Sequence, residues 1–179
     1  MANRIKGILT LAIFFLLCMG ASFYVSRYVL VVYPVEGKSM VPTIYDEDRV
    51  LVYRTKNIKH GDIVVFDSEY YQKPLVKRVI GLEGDLIQIK FNEEIHAFEV
   101  WRNGERLKEK YINEPMYPPS YREMEVQVPT GKMFFLGDNR NASSDSHNYQ
   151  EMEDISTIQG KVIMRYKGLD ITFFALLEA

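Results

Sequence analysis

A serine and a lysine of this chain have the surroundings that nucleophilic catalysis requires. Ser39 lies between Gly37 and Pro42, where the backbone is expected to turn and to leave N–H groups free for a developing oxyanion. Lys77 lies in the apolar run 75–80. A serine hydroxyl needs a base to take its proton, and a lysine amine can be that base only when burial lowers its pKa. The pair therefore suggests a serine protease whose base is a lysine.

Each of these residues also has an ordinary interpretation. Serines in turns are common and mostly structural, so Ser39 and Ser143 could simply be turn residues. Lysines in strands, such as Lys77, are usually solvated, and Arg78 alone would be an ordinary surface charge. A conventional triad of a serine with Asp145 and His147 is disfavoured, because residues two apart on an extended chain do not contact each other.

The composition excludes several classes of protein. The 179 residues can form one ordinary domain and a small appendage. A formal net charge of -2 gives no general basic surface, so we expect no nucleic-acid partner. The single cysteine, Cys18, excludes an internal disulfide and a cysteine-based metal site, and His60 and His96 lack ligand-spaced partners. We therefore predict no metal, and no cofactor is implied because both the base and the nucleophile are side chains of the protein.

An uncharged stretch of twenty residues, 7–26, lies close to the amino terminus. As a helix it could cross a hydrocarbon core of roughly 30 Å. Arg4 and Lys6 precede the stretch, which favours a cytoplasmic segment 1–6 and an extracytoplasmic remainder. A cleaved signal peptide is the alternative interpretation. A retained membrane anchor is favoured for two reasons. The apolar run is long for a signal peptide, and it is not followed by a polar segment with which a mature protein could begin.

The rest of the chain has the pattern of a mainly β protein. Short apolar runs such as Val50 to Tyr53 and Ile63 to Phe66 alternate with Gly-Asp turn signals. The segment 91–131 is richer in charge and proline, and we predict a smaller inserted β unit there. The segments 27–90 and 132–179 would together form the main β domain.

Four segments of the chain jointly resemble the bacterial type I signal peptidases, in their Gram-positive form. They are residues 36–43, 61–66, 77–85 and 137–147, in this order and spacing. The resemblance covers nearly the whole chain after the anchor. It implies a membrane-bound serine endopeptidase that removes signal peptides from exported preproteins, with a fold shared with the LexA-type self-cleaving repressors. The implied partners are preprotein signal peptides, membrane lipid and the secretion translocon.

The resemblance also implies a role for individual residues. Ser39 matches the nucleophile, and Lys77 matches the general base that later returns the proton to the leaving amine. Ser143 matches a serine whose hydroxyl orients the lysine amine. Charged residues that match supporting positions of the site are Arg78, Asp138 and Asp145. Apolar residues expected to line shallow pockets for small side chains of the signal peptide are Val35, Met40, Ile44 and Val76.

Three positions depart from the family's pattern. Gly37 occupies a position where some members have a serine that completes the oxyanion hole, so a backbone group or water would have to serve. Glu83 replaces a common proline. His147 replaces the usual arginine, and an imidazole can lose its charge in the neutral range, which a guanidinium cannot.

Two other functions agree with parts of the sequence. One is a LexA-like self-cleaving protease, which is disfavoured by the apolar anchor and by the lack of a DNA-binding helical domain. The other is a non-catalytic, membrane-anchored peptide-binding or assembly factor of the same fold. The presence of both Ser39 and Lys77 argues against it.

Overall fold

The chain begins with a long apolar helix. The computed structural model describes residues 2–149 and 152–174, and in it the helix α1 spans Ala2–Tyr24 and continues as a π-helical turn over Val25–Val29. Within the described residues, this is the one helix that is long and apolar enough to cross a membrane, and it is not buried against the rest of the chain. The predicted anchor, residues 7–26, lies inside it.

Twelve short strands follow the helix, so the prediction of a mainly β fold is confirmed. In chain order they are β1 Leu30–Pro34, β2 Arg49–Tyr53, β3 Ile63–Ser68, β4 Lys73–Leu82, β5 Leu86–Asn92, β6 Ala97–Arg102, β7 Glu105–Arg106, β8 Met124–Gln127, β9 Lys132–Leu136, β10 Glu153–Asp154, β11 Ile158–Lys167 and β12 Asp170–Phe173. Three short helical pieces accompany them: 3₁₀ turns at Arg140–Ala142 and Ile155–Thr157, and the one-turn helix α2 at Ser146–Tyr149.

The strands form two antiparallel sheets. The larger sheet has the order β1-β2-β11-β3-β4-β9-β10, with β12 paired to β11, and the smaller one has the order β7-β6-β5-β8. The smaller sheet runs from Leu86 to Gln127, whereas the sequence-based boundaries of the inserted unit were 91–131. The residues of β5 have the same apolar pattern as the strands of the larger sheet. The sequence of β5 alone therefore does not indicate that it pairs with β6. Residues 175–179 of the predicted main β domain lie outside the described residues.

The core joins the two sheets and also supports the segment around Ser39. One apolar cluster includes Ile80 and Phe134 of the larger sheet together with Ile87 of the smaller one. A second cluster packs Met40 and Ile44 against strands β2, β3 and β11. Because both sheets share a core, the division of the chain into two units stays a prediction. The second cluster fixes the position of the turn that carries Ser39.

Candidate active site

Lys77 is a buried amine in the middle of the larger sheet. It lies on β4 opposite Val64 of β3, and it is 3% exposed. Its Nζ donates a hydrogen bond to Ser143 Oγ at 2.7 Å. Loss of water around the charged form lowers the pKa of Lys77, and the carboxylates of Asp145 and Asp138 only partly oppose this effect. The amine therefore has the property that a lysine base needs.

Ser39 lies in a turn that follows β1. Gly37 adopts a φ of +93°, and its N–H donates to Asp46 Oδ1 at 2.8 Å. A side chain would be strained at this φ, which accounts for the glycine two residues before the serine. Met40 is 2% exposed and accepts hydrogen bonds at its carbonyl from the amides of Thr43 and Ile44. The buried Met40 thus holds the turn while Ser39 stays half-buried at the surface.

Ser39 and Lys77 line the same groove, which has a volume of about 320 Å³. The groove lies between the segment that follows β1 and the first half of β4. Three of the four predicted pocket residues line it: Val35, Met40 and Val76. The fourth, Ile44, does not, because its side chain is fully buried in the core cluster with Met40.

Gly137 lies where the backbone of Ser39 meets the side chain of Ser143. A Cβ atom added to Gly137 would be 2.2 Å from Ser143 Oγ and 2.4 Å from the carbonyl oxygen of Ser39. The next residues bind the same turn, since Asn139 donates its N–H to the Ser39 carbonyl at 2.9 Å and its side-chain amide to the Lys38 carbonyl at 2.9 Å. The loop after β9 therefore brings the predicted nucleophile, base and orienting serine to one place.

Asp138, in this loop, forms a buried ion pair with Arg78 that contains two hydrogen bonds. Arg78 donates from Nε to Asp138 Oδ1 at 2.8 Å and from Nη2 to Oδ2 at 2.7 Å, and Asp138 is 0% exposed. The hydroxyl of Thr43 donates to the same carboxylate, and Arg78 Nη1 donates to the Gly61 carbonyl. The ring of Tyr111 lies 3.8 Å below the guanidinium. The pair connects the Ser39 turn, β4 and the loop after β9.

Asp145 connects the same loop to His147. The N–H of Gly137 donates to Asp145 Oδ2 at 2.9 Å, and His147 Nδ1 is hydrogen-bonded to Asp145 Oδ1. The ring of Tyr121 stacks on the imidazole with centroids 3.9 Å apart. Residues 145 and 147 touch because the chain enters the helix α2 at Ser146 and is not extended there. The premise that two such residues cannot contact each other is wrong here.

Sequence reasoning missed a second buried ion pair. Arg140 is 1% exposed, donates from Nη1 to Glu109 Oε2 at 2.8 Å, and donates from Nε to the Gly137 carbonyl at 3.0 Å. Tyr121 donates its hydroxyl to the Arg140 carbonyl. Arg140 lies inside the segment 137–147 and could have been noticed there. Glu109 and Tyr121 lie in the connection between β7 and β8, where no motif indicates them.

Removal of the Asp138 carboxylate should destabilise the protein strongly. We expect Asp138→Ala to cost about 3–5 kcal/mol, because Arg78 would stay buried without its counter-charge. Thermal unfolding of the full chain in detergent should show a Tm lower by on the order of 10 °C. Asp170→Ala is the matched control, since that side chain is 65% exposed and its pair with Arg165 is a surface pair. Equal losses in the two variants would contradict this assignment.

Comparison with known proteins identifies the family of this chain. Residues 8–167 match the family described as "Signal peptidase, peptidase S26". The chain is 36% identical over 144 residues to signal peptidase I of Bacillus licheniformis, which covers 72% of each chain. It is 34% identical over 171 residues to signal peptidase I U of Bacillus subtilis (strain 168), covering 88% of this chain and 86% of the relative. The chain belongs to the signal peptidase family, peptidase S26.

More distant relatives have similar names. Signal peptidase IB of Staphylococcus aureus (strain N315) is 29% identical over 181 residues, covering 90% of this chain and 88% of the relative. A crystal structure of a signal peptidase I from Enterococcus faecalis V583 aligns with a TM-score of 0.49 and 25% identity, over 59% of this chain and 96% of that one. The predicted family and enzyme class, a serine endopeptidase, are confirmed by the family match and the curated relatives. The family match and the curated relatives give no support to a self-cleaving repressor or a non-catalytic factor.

Proposed function

We propose that this chain is a membrane-anchored serine endopeptidase that removes signal peptides from exported preproteins, with Ser39 as nucleophile and Lys77 as general base. The observation that carries this proposal is the state of the Lys77 amine. It is buried, its pKa is lowered, and it lies beside Ser143 in a groove that also contains Ser39. Membership of the signal peptidase family supports signal peptides as the substrate. The contacts of Lys77 support its role as base and the role of Ser39 as nucleophile.

The acylation step follows from these roles. The neutral amine of Lys77 takes the hydroxyl proton of Ser39 as Ser39 Oγ attacks the carbonyl carbon of the scissile peptide bond. The tetrahedral intermediate then collapses and the C–N bond breaks. The Lys77 ammonium gives its proton to the leaving amine, which departs as the new amino terminus of the mature protein. An ester between Ser39 and the signal peptide is left.

Deacylation uses the same base again. Lys77, neutral after the first step, takes a proton from a water molecule as that water attacks the ester carbonyl. Collapse of the second intermediate frees the carboxyl end of the signal peptide and returns a proton to Ser39 Oγ. Ser143 accepts a hydrogen bond from the Lys77 amine and so acts as a positioning residue in both steps. Burial of Lys77 supports this cycle because the amine regains its neutral form easily.

The surroundings of Ser39 support the binding of an extended peptide. Within residues 2–149 and 152–174, the backbone N–H of Ser39 has no hydrogen-bond acceptor, so it can donate to the oxyanion. Strand β4 pairs with β9 only from Arg78 onward, so no described strand covers one edge of Lys73–Lys77. An added substrate strand at this edge would place small side chains of the signal peptide against Val35, Met40 and Val76.

The apolar helix supports a single-pass anchor. Arg4 and Lys6 at its start favour a cytoplasmic amino terminus, with the β region on the extracytoplasmic side. In this arrangement the enzyme would meet preproteins that are held in the bilayer by their own apolar segments. Membrane lipid would surround the helix, and the secretion translocon would deliver the substrate.

We expect the anchor to be retained in the mature protein. The mature chain should keep Met1 or Ala2 at its amino terminus, because residues 7–26 are long enough to span the bilayer. Intact mass measurement and fractionation through an alkaline carbonate wash test this together. A mature terminus near Ser22 and release into the soluble fraction would identify the segment as a cleaved signal peptide.

Peptide cleavage by the purified enzyme tests the proposed function. The full chain in detergent should cleave a synthetic Ala-x-Ala signal-peptide substrate after the second alanine. Ser39→Ala should abolish this cleavage, whereas Ser144→Ala, which changes a neighbouring serine of the 137–147 segment, should not. Unchanged cleavage by Ser39→Ala would reject Ser39 as the nucleophile. Absence of cleavage by the wild type on every signal-peptide sequence tested would reject the function.

A further inference from the structure

Asn139 binds the backbone on both sides of Ser39. Its main-chain N–H donates to the Ser39 carbonyl at 2.9 Å, and its side-chain Nδ2 donates to the Lys38 carbonyl at 2.9 Å. A carbonyl oxygen can only accept, so the nitrogen of the side-chain amide must face Lys38. One residue of the loop after β9 therefore holds the peptide units before and after the proposed nucleophile.

The side chain of Asn139 does not serve the turn in which the residue lies. Asn139 occupies the N-cap position of the 3₁₀ turn Arg140–Ala142, where an asparagine side chain ordinarily accepts a hydrogen bond from the backbone of the turn. Among the described residues it accepts no such bond. It donates instead to Lys38, which is 101 residues away along the chain. The contact with Lys38, and not local capping, accounts for the orientation of this side chain.

The geometry of a peptide unit transmits this contact to the Ser39 N–H. The bond between Lys38 and Ser39 is trans, since the cis bonds of the described chain lie elsewhere. In a planar trans unit the C=O and the N–H point in opposite directions. A Lys38 carbonyl that is held towards the loop after β9 therefore directs the Ser39 N–H to the opposite side. Ser39 lines the groove and Asn139 does not, and within residues 2–149 and 152–174 this N–H has no acceptor.

The Lys38 carbonyl also accepts a hydrogen bond from within its own turn. The N–H of Val41 donates to this oxygen at 3.2 Å and closes the turn that contains the nucleophile. Because such a bond moves with the turn, it cannot fix the turn relative to the base. The Asn139 bond can, because the loop after β9 also carries Ser143, which accepts a hydrogen bond from Lys77 Nζ at 2.7 Å.

Gly37 increases the importance of the Ser39 N–H. A glycine has no hydroxyl to offer to an oxyanion, and the Gly37 N–H already donates to Asp46 Oδ1 at 2.8 Å. The Ser39 N–H belongs to the nucleophile itself and is unbonded among the described residues. A donor of this kind stabilises an oxyanion only when it points to the place where the negative charge develops.

We infer that Asn139 is a positioning residue for the oxyanion. Its side-chain amide holds the Lys38 carbonyl so that the Ser39 N–H points at the negatively charged oxygen of the tetrahedral intermediate. Asn139 acts through this peptide unit and makes no contact with the substrate. The inference rests on the proposed peptidase function, and it adds a requirement to that function: the nucleophile's own backbone must be held from the loop that orients the base.

Loss of the Asn139 side chain should slow the chemical step and leave substrate binding nearly unchanged. Removal of a whole oxyanion donor costs about 10²–10³-fold in kcat, so we expect loss of its orientation in Asn139→Ala to cost roughly 10- to 100-fold, with little change in KM. Asn139→Asp keeps the shape of the side chain but has no amide donor, and it should lose at least as much. Steady-state kinetics in detergent measure both values. Wild-type kcat in either variant would overturn the inference.

Asn141 provides a matched control in the same loop. It is half-buried like Asn139, its Nδ2 donates to the Pro115 carbonyl at 2.8 Å, and its Oδ1 accepts the Tyr117 N–H at 3.0 Å. Asn141→Ala therefore removes two hydrogen bonds of this loop but none to the turn with the nucleophile. We expect it to lower the Tm at least as much as Asn139→Ala and to leave kcat nearly unchanged. An equal loss of kcat in both variants would assign the effect to the loop as a whole and overturn the positioning role.

Nuclear magnetic resonance can observe the Ser39 N–H itself. Lys38 is the only lysine followed by a serine in the sequence, so lysine labelled at its carbonyl carbon and serine labelled at its nitrogen together select one signal. The probe is a signal-peptide aldehyde. Ser39 Oγ bonds to its carbonyl carbon, the hydroxyl proton passes to Lys77, and the former carbonyl oxygen is left as the oxyanion. The Ser39 amide proton should shift downfield in the wild type and in Asn141→Ala, and much less in Asn139→Ala.

The outcomes separate this inference from the proposed function. In Asn139→Ala the affinity for the aldehyde should fall by the same factor as kcat/KM. A wild type that cleaves the signal peptide but shows no shift of the Ser39 amide would overturn the inference and leave the peptidase function intact. An equal shift in Asn139→Ala would do the same. A wild type that neither cleaves the peptide nor binds the aldehyde would reject the function, and the inference with it.

Discussion

Replacement of Lys77 should abolish peptide cleavage without loss of the fold. We expect kcat/KM for a signal-peptide substrate to fall by on the order of 10⁴-fold or more in Lys77→Met, because no base is left for the Ser39 hydroxyl. Methionine has a similar length and needs no hydrogen bond, so at this site, 3% exposed, it should keep the core intact. Kinetics and thermal unfolding of the same preparation measure both effects.

Two further variants identify the chemical reason for that loss. Lys77→Arg should be equally inactive, because a guanidinium stays protonated and cannot accept the serine proton. The double variant Ser39→Ala/Lys77→Met should be scarcely worse than either single variant, since the two residues act as one unit. Substantial cleavage by Lys77→Arg, or additive losses in the double variant, would reject the dyad.

Addition of one methyl group at Gly137 should also inactivate the enzyme. In Gly137→Ala the new Cβ would lie 2.4 Å from the carbonyl oxygen of Ser39 and 2.2 Å from Ser143 Oγ. The Ser39 turn or the loop after β9 must shift to relieve this contact. A displacement of about 1 Å between reacting groups can cost 10²-fold in rate, so we expect a loss of at least that size in kcat/KM.

Gly81→Ala is the matched control for Gly137→Ala. It also creates a contact that is too short, 2.8 Å to Ile87 Cδ1, but a less severe one, and the neighbour is the end of a flexible side chain in the core between the sheets. We expect it to reduce the free energy of unfolding by about 1–3 kcal/mol and to leave kcat/KM nearly unchanged at a temperature where the protein is folded. Wild-type activity in Gly137→Ala would show that the Ser39 turn tolerates displacement.

The sequence predicted those features of the site that depend on residues close together in the chain. Gly37 and Ser39 belong to one turn, where the residue types predict a bent backbone, and Gly37 has a positive φ in the structure. Met40 was predicted to line a pocket; it does line the groove, and it is also 2% exposed. Lys77 has apolar neighbours in its strand, but lysines in strands are usually solvated, so its burial was predicted only from the four family segments together. Ser143 could be chosen among its neighbouring serines only by its position in the family pattern, and the structure places it 2.7 Å from the Lys77 amine.

The parts that the sequence did not predict depend on contacts between distant segments. Glu109 and Arg140 are 31 residues apart, and only the folded chain brings them together. Ile44 lies close to Ser39 in sequence, but the turn directs it into the core and away from the groove. The smaller sheet begins at Leu86 because β5 pairs with β6 and β8. The residues of β5 alone do not indicate which strands it pairs with.

Activation of Ser39 by a neutral Lys77 can be tested by titration of the Lys77 amine. The pH dependence of the Lys77 Cε signal, assigned with Lys77→Met in lysine-labelled protein, gives the pKa of the amine. Burial lowers this pKa below 10.5, so the neutral fraction grows at lower pH than in other lysines. We predict that this midpoint coincides with the acidic limb of the pH profile of kcat/KM, where activity rises as the amine loses its proton. A Lys77 that titrates like a solvent-exposed lysine, or an activity limb that lies apart from its midpoint, would show that Lys77 is not the base that activates Ser39.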